Sequence, residues 1–125
     1  MKEQNINEDL MQAVSEHNAK AVKDCLETGA DPNYCVHFAD EGPNTFNQPK
    51  TPLQLVMFCI SDSLLEERDL KEFADIATLL LHFGADPKPA MQIAESRYGK
   101  YDPDMEKGPF TDVWHIVADA YRHFS

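Results

Sequence analysis

The sequence predicts an all-α domain of about six helices in three antiparallel pairs. Three observations support this. A helical run stopped by a glycine and followed by Ala-Asp-Pro occurs twice, within Ala21–Pro32 and within Ile76–Pro87. Between the two runs, Thr51 and Pro52 form a helix start, because Thr can cap a helix and Pro suits its first turn. Apolar residues before and within both runs recur with the 3.6-residue period of a helix.

Each glycine-stopped run ends in the order Gly-Ala-Asp-Pro, at Gly29 and again at Gly84. Glycine has no Cβ and can adopt the left-handed conformation that satisfies the last carbonyls of a helix. The Asp side chain can accept a hydrogen bond from an amide two residues on, and Pro lacks the amide proton that a continuing helix needs. We therefore expect both glycines to end a helix in the left-handed conformation.

A Thr-Pro-Leu start followed by a Gly-Ala-Asp stop resembles the ankyrin repeat, a 33-residue unit of two antiparallel helices and a turn. In that pattern the Leu precedes the Gly by about 19 residues. Leu10 and Gly29 are 19 residues apart, whereas Leu53 and Gly84 are 31 apart. Gly29 and Leu53 are 24 apart, where the pattern has about 14. In both cases the extra residues fall in connections between helices, where repeat proteins vary in length.

The resemblance covers residues 8–33 and 50–94. It implies a single ankyrin-repeat helical solenoid over residues 1–125, with units at about 5–35, 50–87 and 88–125. The third unit is degenerate, and an inserted finger occupies residues 34–49. The resemblance also implies recognition of a protein partner through the concave face, by fingers and first helices, without catalysis.

The helices are predicted in chain order from their apolar faces. The first runs from about Glu8 to Glu16, and His17-Asn18 stands where the repeat pattern has a glycine turn, whose left-handed geometry Asn tolerates. The helix that ends at Gly84 is expected to be about two turns longer than the one that ends at Gly29, because its period continues back to Leu70. The residues expected to face the core are Leu10, Ala13 and Val14, then Ala21, Val22, Cys25 and Leu26, then Leu53, Val56, Met57 and Ile60.

A terminal helix closes the predicted stack. Its apolar stripe is Phe110, Val113, Trp114, Val117 and Tyr121, with Thr111 or Asp112 as the cap. A terminal unit must turn a polar face outward. Asp112, His115, Asp119, Arg122 and His123 are expected to form that face.

Composition limits the kind of partner. The 125 residues carry 22 acidic and 11 basic side chains, a net charge of −11. This charge disfavours nucleic acid, which needs clustered Lys and Arg, and it would steer a basic protein towards the chain. No apolar run could span a bilayer, so we expect a cytoplasmic protein without membrane contact. Three cysteines are an odd number without close pairs, which disfavours a disulfide framework.

No motif for catalysis or cofactor binding occurs, so we expect no catalytic residue, no cofactor and no enzyme activity. One alternative is a metal site, because His115, Asp119 and His123 share a helix face at i, i+4 and i+8. A charged outer face explains the same pattern without a metal.

The partner-binding residues are predicted on two inserted segments. The finger combines aromatic and polar residues, as interfaces do, although it could instead fold back on the core. The lengthened helix begins with an acidic cluster, which could equally be its solvated face. The predicted contacts are Tyr34, Phe38, Asp40, Glu41, Asn44 and Phe46 of the finger, and Glu66, Glu67 and Asp69 of the helix. A more specific hypothesis is an immunity or inhibitor protein that neutralises a basic toxin enzyme.

Overall fold

A computed structural model describes residues 6–35, 51–60, 65–102, 104 and 108–123. Across these residues the chain forms six α-helices and no strand, which confirms the predicted all-α class. The helices are α1 (Ile6–Ser15), α2 (Ala19–Thr28), α3 (Pro52–Cys59), α4 (Glu67–His82), α5 (Lys88–Tyr98) and α6 (Pro109–His123).

The helices contact one another in pairs and in two layers. Consecutive helices pack as α1 with α2, α3 with α4, and α5 with α6. In addition α3 contacts both α1 and α5, while α4 contacts both α2 and α6. We call α1, α3 and α5 the first layer and α2, α4 and α6 the second layer. The core includes the fully buried side chains of Leu10, Leu53, Phe73, Ile76 and Val113.

The two glycine stops have the same geometry. Gly29 and Gly84 have φ angles of 116° and 103°, so the predicted left-handed conformation is confirmed at both. In each case the glycine N–H donates to a carbonyl three residues back, and the following alanine N–H donates to one five residues back. These bonds are Gly29 to Leu26 at 3.2 Å, Ala30 to Cys25 at 3.0 Å, Gly84 to Leu81 at 3.1 Å and Ala85 to Leu80 at 2.9 Å.

One side chain joins the two stops. Asn33 Nδ2 donates to the Gly84 carbonyl oxygen at 3.0 Å, and the Asp86 N–H donates to Asn33 Oδ1 at 2.6 Å. Asn33 is itself fixed by its own N–H, which donates to Asp31 Oδ1 at 2.8 Å. The Asp31 N–H donates in turn to Asn7 Oδ1 at 2.7 Å. The two equivalent loops are therefore held together by a short polar side chain, through residues as far as 53 apart in the sequence.

The predicted start of α3 is also confirmed. Thr51 Oγ1 accepts from the Gln54 N–H at 3.2 Å, and Gln54 Oε1 accepts from the Thr51 N–H at 3.0 Å. This reciprocal capping satisfies two amides at the helix end. Gln54 Nε2 also donates to the Pro89 carbonyl oxygen at 3.2 Å, linking the starts of α3 and α5. The four residues predicted to face the core from this helix are all buried: Leu53, Val56, Met57 and Ile60.

The turn between α1 and α2 differs from the prediction. His17, and not Asn18, adopts the left-handed conformation, with φ of 45°. Asn18 instead caps α2, because its side-chain oxygen accepts from the Ala21 N–H at 3.1 Å. The His17 ring stands edge-on to Phe73 of α4, with the ring centroids 5.7 Å apart. This packing accounts for a non-glycine residue in a conformation that costs about 1 to 2 kcal/mol.

The predicted cap of α6 and the predicted end of its apolar stripe are both wrong. The helix begins at Pro109, and Thr111 lies in its first turn, where its Oγ1 accepts from the Gly108 N–H at 2.7 Å. Thr111 therefore reaches back to Gly108 from inside the helix. Tyr121 was expected in the apolar stripe but is 42% exposed, whereas Val113, Trp114 and Val117 are buried as predicted.

Candidate partner-binding surface

The lengthened helix carries two of the predicted contacts on its surface. α4 has 16 residues and α2 has 10, which agrees with the predicted extension. Glu66 and Glu67 at its start have side chains that are both 68% exposed. Their charges are partly balanced, since Arg68 Nε lies 3.1 Å from Glu66 and Lys71 Nζ lies 3.6 Å from Glu67. Exposed pairs of this kind remain open to exchange with a partner's charges.

Asp69, the third acidic residue predicted there, is directed inward. Its side chain is 18% exposed, and Asp69 Oδ2 accepts from the Glu66 N–H at 3.0 Å. Asp69 Oδ1 lies 3.7 Å from His17 Nδ1 in the α1–α2 turn. One turn further along, Glu72 Oε2 accepts from the Ala19 N–H at 3.0 Å. These two carboxylates hold the α1–α2 turn against α4, which gives Asp69 a structural role that spacing along the sequence does not reveal.

The finger begins at the edge of the described residues. Tyr34 is half-buried, and its N–H donates to the Asp31 carbonyl oxygen at 3.0 Å. The chain is described again from Thr51. The other five predicted finger contacts lie outside the described residues: Phe38, Asp40, Glu41, Asn44 and Phe46.

The first layer offers apolar surface that was not among the predicted contacts. Leu55 and Phe58 of α3 are half-buried and pack beside the core. The Arg97 guanidinium of α5 lies 4.4 Å from the centroid of the Phe58 ring, a cation–π distance. The signal in the sequence was the i, i+3 spacing of Leu55 and Phe58 on a face distinct from the buried one. An aromatic ring beside an Arg is a combination enriched at protein interfaces.

The three terminal-helix residues of the metal alternative do not form a single cluster. The Tyr101 hydroxyl is hydrogen-bonded to His115 Nδ1, and this half-buried His is not part of a fully exposed polar face. Asp119 and His123 instead pair with each other, with His123 Nδ1 3.8 Å from Asp119 Oδ1. No group of three His, Cys, Asp or Glu side chains arranged to hold a metal occurs among the residues that the structure describes.

Aromatic rings surround the end of α5 and the start of α6. Trp114 packs against Tyr98 and Tyr101, with ring centroids 5.5 Å and 5.6 Å apart. The Tyr98 hydroxyl donates to the Met57 carbonyl oxygen of α3. Burial raises the pKa of Tyr101; the nearby Arg122 opposes this change, and Asp119 and Asp102 reinforce it. The cluster therefore fixes the closing pair of helices through neutral aromatic contacts.

Cys25, which was predicted to face the core, is only partly buried. Cys25 and Cys59 are half-buried, and Cys35 is exposed. Burial raises the pKa of the Cys25 thiol, and the negative charges of Asp9 and Asp24 raise it further. A raised pKa leaves less of the reactive thiolate at neutral pH.

A shallow groove of about 450 Å³ lies between α2 and α4 on the second layer. Lys20 and Lys23 lie on one side of it, and Asp75 and Thr78 lie on the other. Ala19 and Leu79 complete the lining. The groove therefore presents both signs of charge beside a small apolar surface.

Comparisons with known proteins give no evidence for function, so the sequence and the structure must supply it. No family model, no curated protein and no solved structure matches the chain. Among the described residues, every helix is too short or too polar to cross a lipid bilayer.

Proposed function

We propose that this protein is a non-catalytic ankyrin-repeat module that binds a basic protein partner. The observation that carries the proposal is the equivalence of the Gly29 and Gly84 stops. They share the left-handed glycine and the same pair of backbone hydrogen bonds, and Asn33 joins them. Repetition of one local structure at two places in a chain is typical of a repeat protein, whose stacked units form an extended binding surface.

The layered contacts are a second source of support. In the first layer α3 touches both α1 and α5, and in the second layer α4 touches both α2 and α6. Each helix pair thus buries its apolar side against its neighbour, as stacked repeats do. Such a stack exposes helix faces and connecting loops along one side, where a partner can make many contacts at once.

The charge of the chain favours a basic partner. Its net charge is −11, and the described residues before α5 hold most of the excess. Residues 6–35 and 65–87 each contain six acidic and two basic side chains. The described residues from 88 to 123 contain five acidic and four basic side chains. A basic partner would therefore be attracted to the first two helix pairs more than to the third.

We place the contact on the first layer and the inserted segments. Leu55 and Phe58 supply an apolar centre, and Arg97 lies over the Phe58 ring. Glu66 and Glu67 supply exposed negative charge at the start of α4. An apolar centre with charged surroundings is the usual composition of a protein interface.

The proposal can be tested with two charge variants of equal size. Glu66→Lys/Glu67→Lys reverses two charges at the start of α4, and Asp104→Lys/Asp119→Lys reverses two charges in the third pair. A partner is first captured from the source lysate by the tagged protein and purified. Its association rate is then measured at about 50 mM and 300 mM salt, where the Debye length falls from about 14 Å to about 6 Å.

We expect salt to slow association of the original protein, and the α4 variant to associate more slowly than the third-pair variant at low salt. An acidic partner, or an association rate that ignores both salt and the α4 charges, would contradict the proposal. Circular dichroism of both variants separates loss of binding from loss of fold.

A more specific candidate is an inhibitor that neutralises a basic toxin enzyme. The acidic excess of the first two helix pairs favours it, because an active site that binds an anionic substrate is itself basic. If the captured partner is an enzyme, an equimolar amount of this protein should abolish its turnover, and Glu66→Lys/Glu67→Lys should restore part of it. Full turnover in the presence of the bound protein would exclude inhibition while leaving binding intact.

A further inference from the structure

We draw no further inference here: the strongest candidate, the shallow groove between α2 and α4 lined by Ala19, Lys20, Lys23, Asp75, Thr78 and Leu79, carries both signs of charge, and nothing in the part of the chain that the structure describes shows what covers it.

Discussion

At the scale of single residues, the backbone enters the left-handed region at the helix stops Gly29 and Gly84 and in the turn at His17. Gly29 and Gly84 do so without steric cost, whereas His17 does so against its conformational preference. The conformation of the two glycines could be predicted because it depends on the adjacent sequence, in which each glycine ends a helical run. His17 could not, because its conformation is compensated by contacts with Phe73 and Asp69 of α4. A tertiary contact decides which residue of a turn takes the unusual conformation.

Replacing Gly84 tests whether this helix stop needs a residue that can adopt a positive φ angle. A Cβ at this position would meet no atom within 4 Å, so the cost of a substitution comes from the backbone angle and not from crowding. We expect Gly84→Val to lower the free energy of unfolding by about 1 to 3 kcal/mol. Gly84→Asn should lower it less, because Asn tolerates the left-handed conformation. Urea denaturation measures both, and equal stabilities for the two variants would contradict the assignment.

The cysteines allow a second test at the residue scale. Burial raises the pKa of Cys25, so its thiolate fraction is reduced at about pH 8 and recovers as the pH rises towards the raised pKa. Cys35 is exposed. We expect a thiol reagent to label Cys35 first and Cys25 slowly, with the Cys25 rate still rising at higher pH. The fast phase should disappear in Cys35→Ser and persist in Cys25→Ser; the reverse outcome would contradict the burial of Cys25.

At the scale of elements, the first turn of α4 has two roles on opposite sides. The 3.6-residue period predicted the longer helix, because apolar residues such as Leu70 and Phe73 continue it backwards from the glycine stop. The helical period did not predict that Asp69 faces inward whereas Glu66 and Glu67 are exposed. Asp69 caps the helix and approaches His17, and this depends on where the α1–α2 turn packs. Neighbouring carboxylates in a sequence cluster can therefore differ in function.

Alanine variants of α4 should separate these roles. We expect Asp69→Ala to lower the free energy of unfolding by about 1 kcal/mol, because the Glu66 N–H loses its acceptor. Glu67→Ala removes an exposed ion pair with Lys71 and should change stability by less than about 0.5 kcal/mol. Thermal melts compare the two variants. If Glu67→Ala proved the more destabilising, the inward placement of Asp69 would be wrong.

For α6, the helical period predicted some buried side chains correctly and others wrongly. The i, i+3, i+4 pattern correctly predicted the burial of Val113, Trp114 and Val117. It failed at Tyr121, one turn beyond the last buried residue, because a helical period does not indicate where the neighbouring core ends. It also failed at His115, whose ring turns to the Tyr101 hydroxyl in a loop that has no periodic signal.

At the scale of the whole molecule, short polar side chains connect loops that are distant in sequence. Asn33 makes two hydrogen bonds to the loop after α4, across 51 and 53 residues. The spacing of Gly-Ala-Asp predicted that these loops are equivalent, but it did not predict which residue would join them. Because insertions of different length separate the two loops, the sequence does not indicate that Asn33 contacts the loop after α4.

Asn33→Ala tests whether the loops are coupled. We expect a loss of about 1 kcal/mol in unfolding free energy, because the Asp86 N–H and the Gly84 carbonyl lose their protein partners at a partly hydrated site. Asn33→Asp keeps one acceptor but loses the donor and adds a negative charge near Asp86, so it should not restore stability. Urea denaturation followed by Trp114 fluorescence measures the effect. Full stability of both variants would contradict the bridge.

The proposed function requires the first layer and the inserted segments to bind a protein partner. Hydrogen–deuterium exchange of the purified complex tests it most directly, because slowed exchange reports which backbone amides the partner covers or stabilises. We predict slowed exchange in residues 34–60 and at the start of α4, with α6 unchanged. Slowed exchange confined to α6, with residues 34–60 exchanging as in the free protein, would contradict the claim.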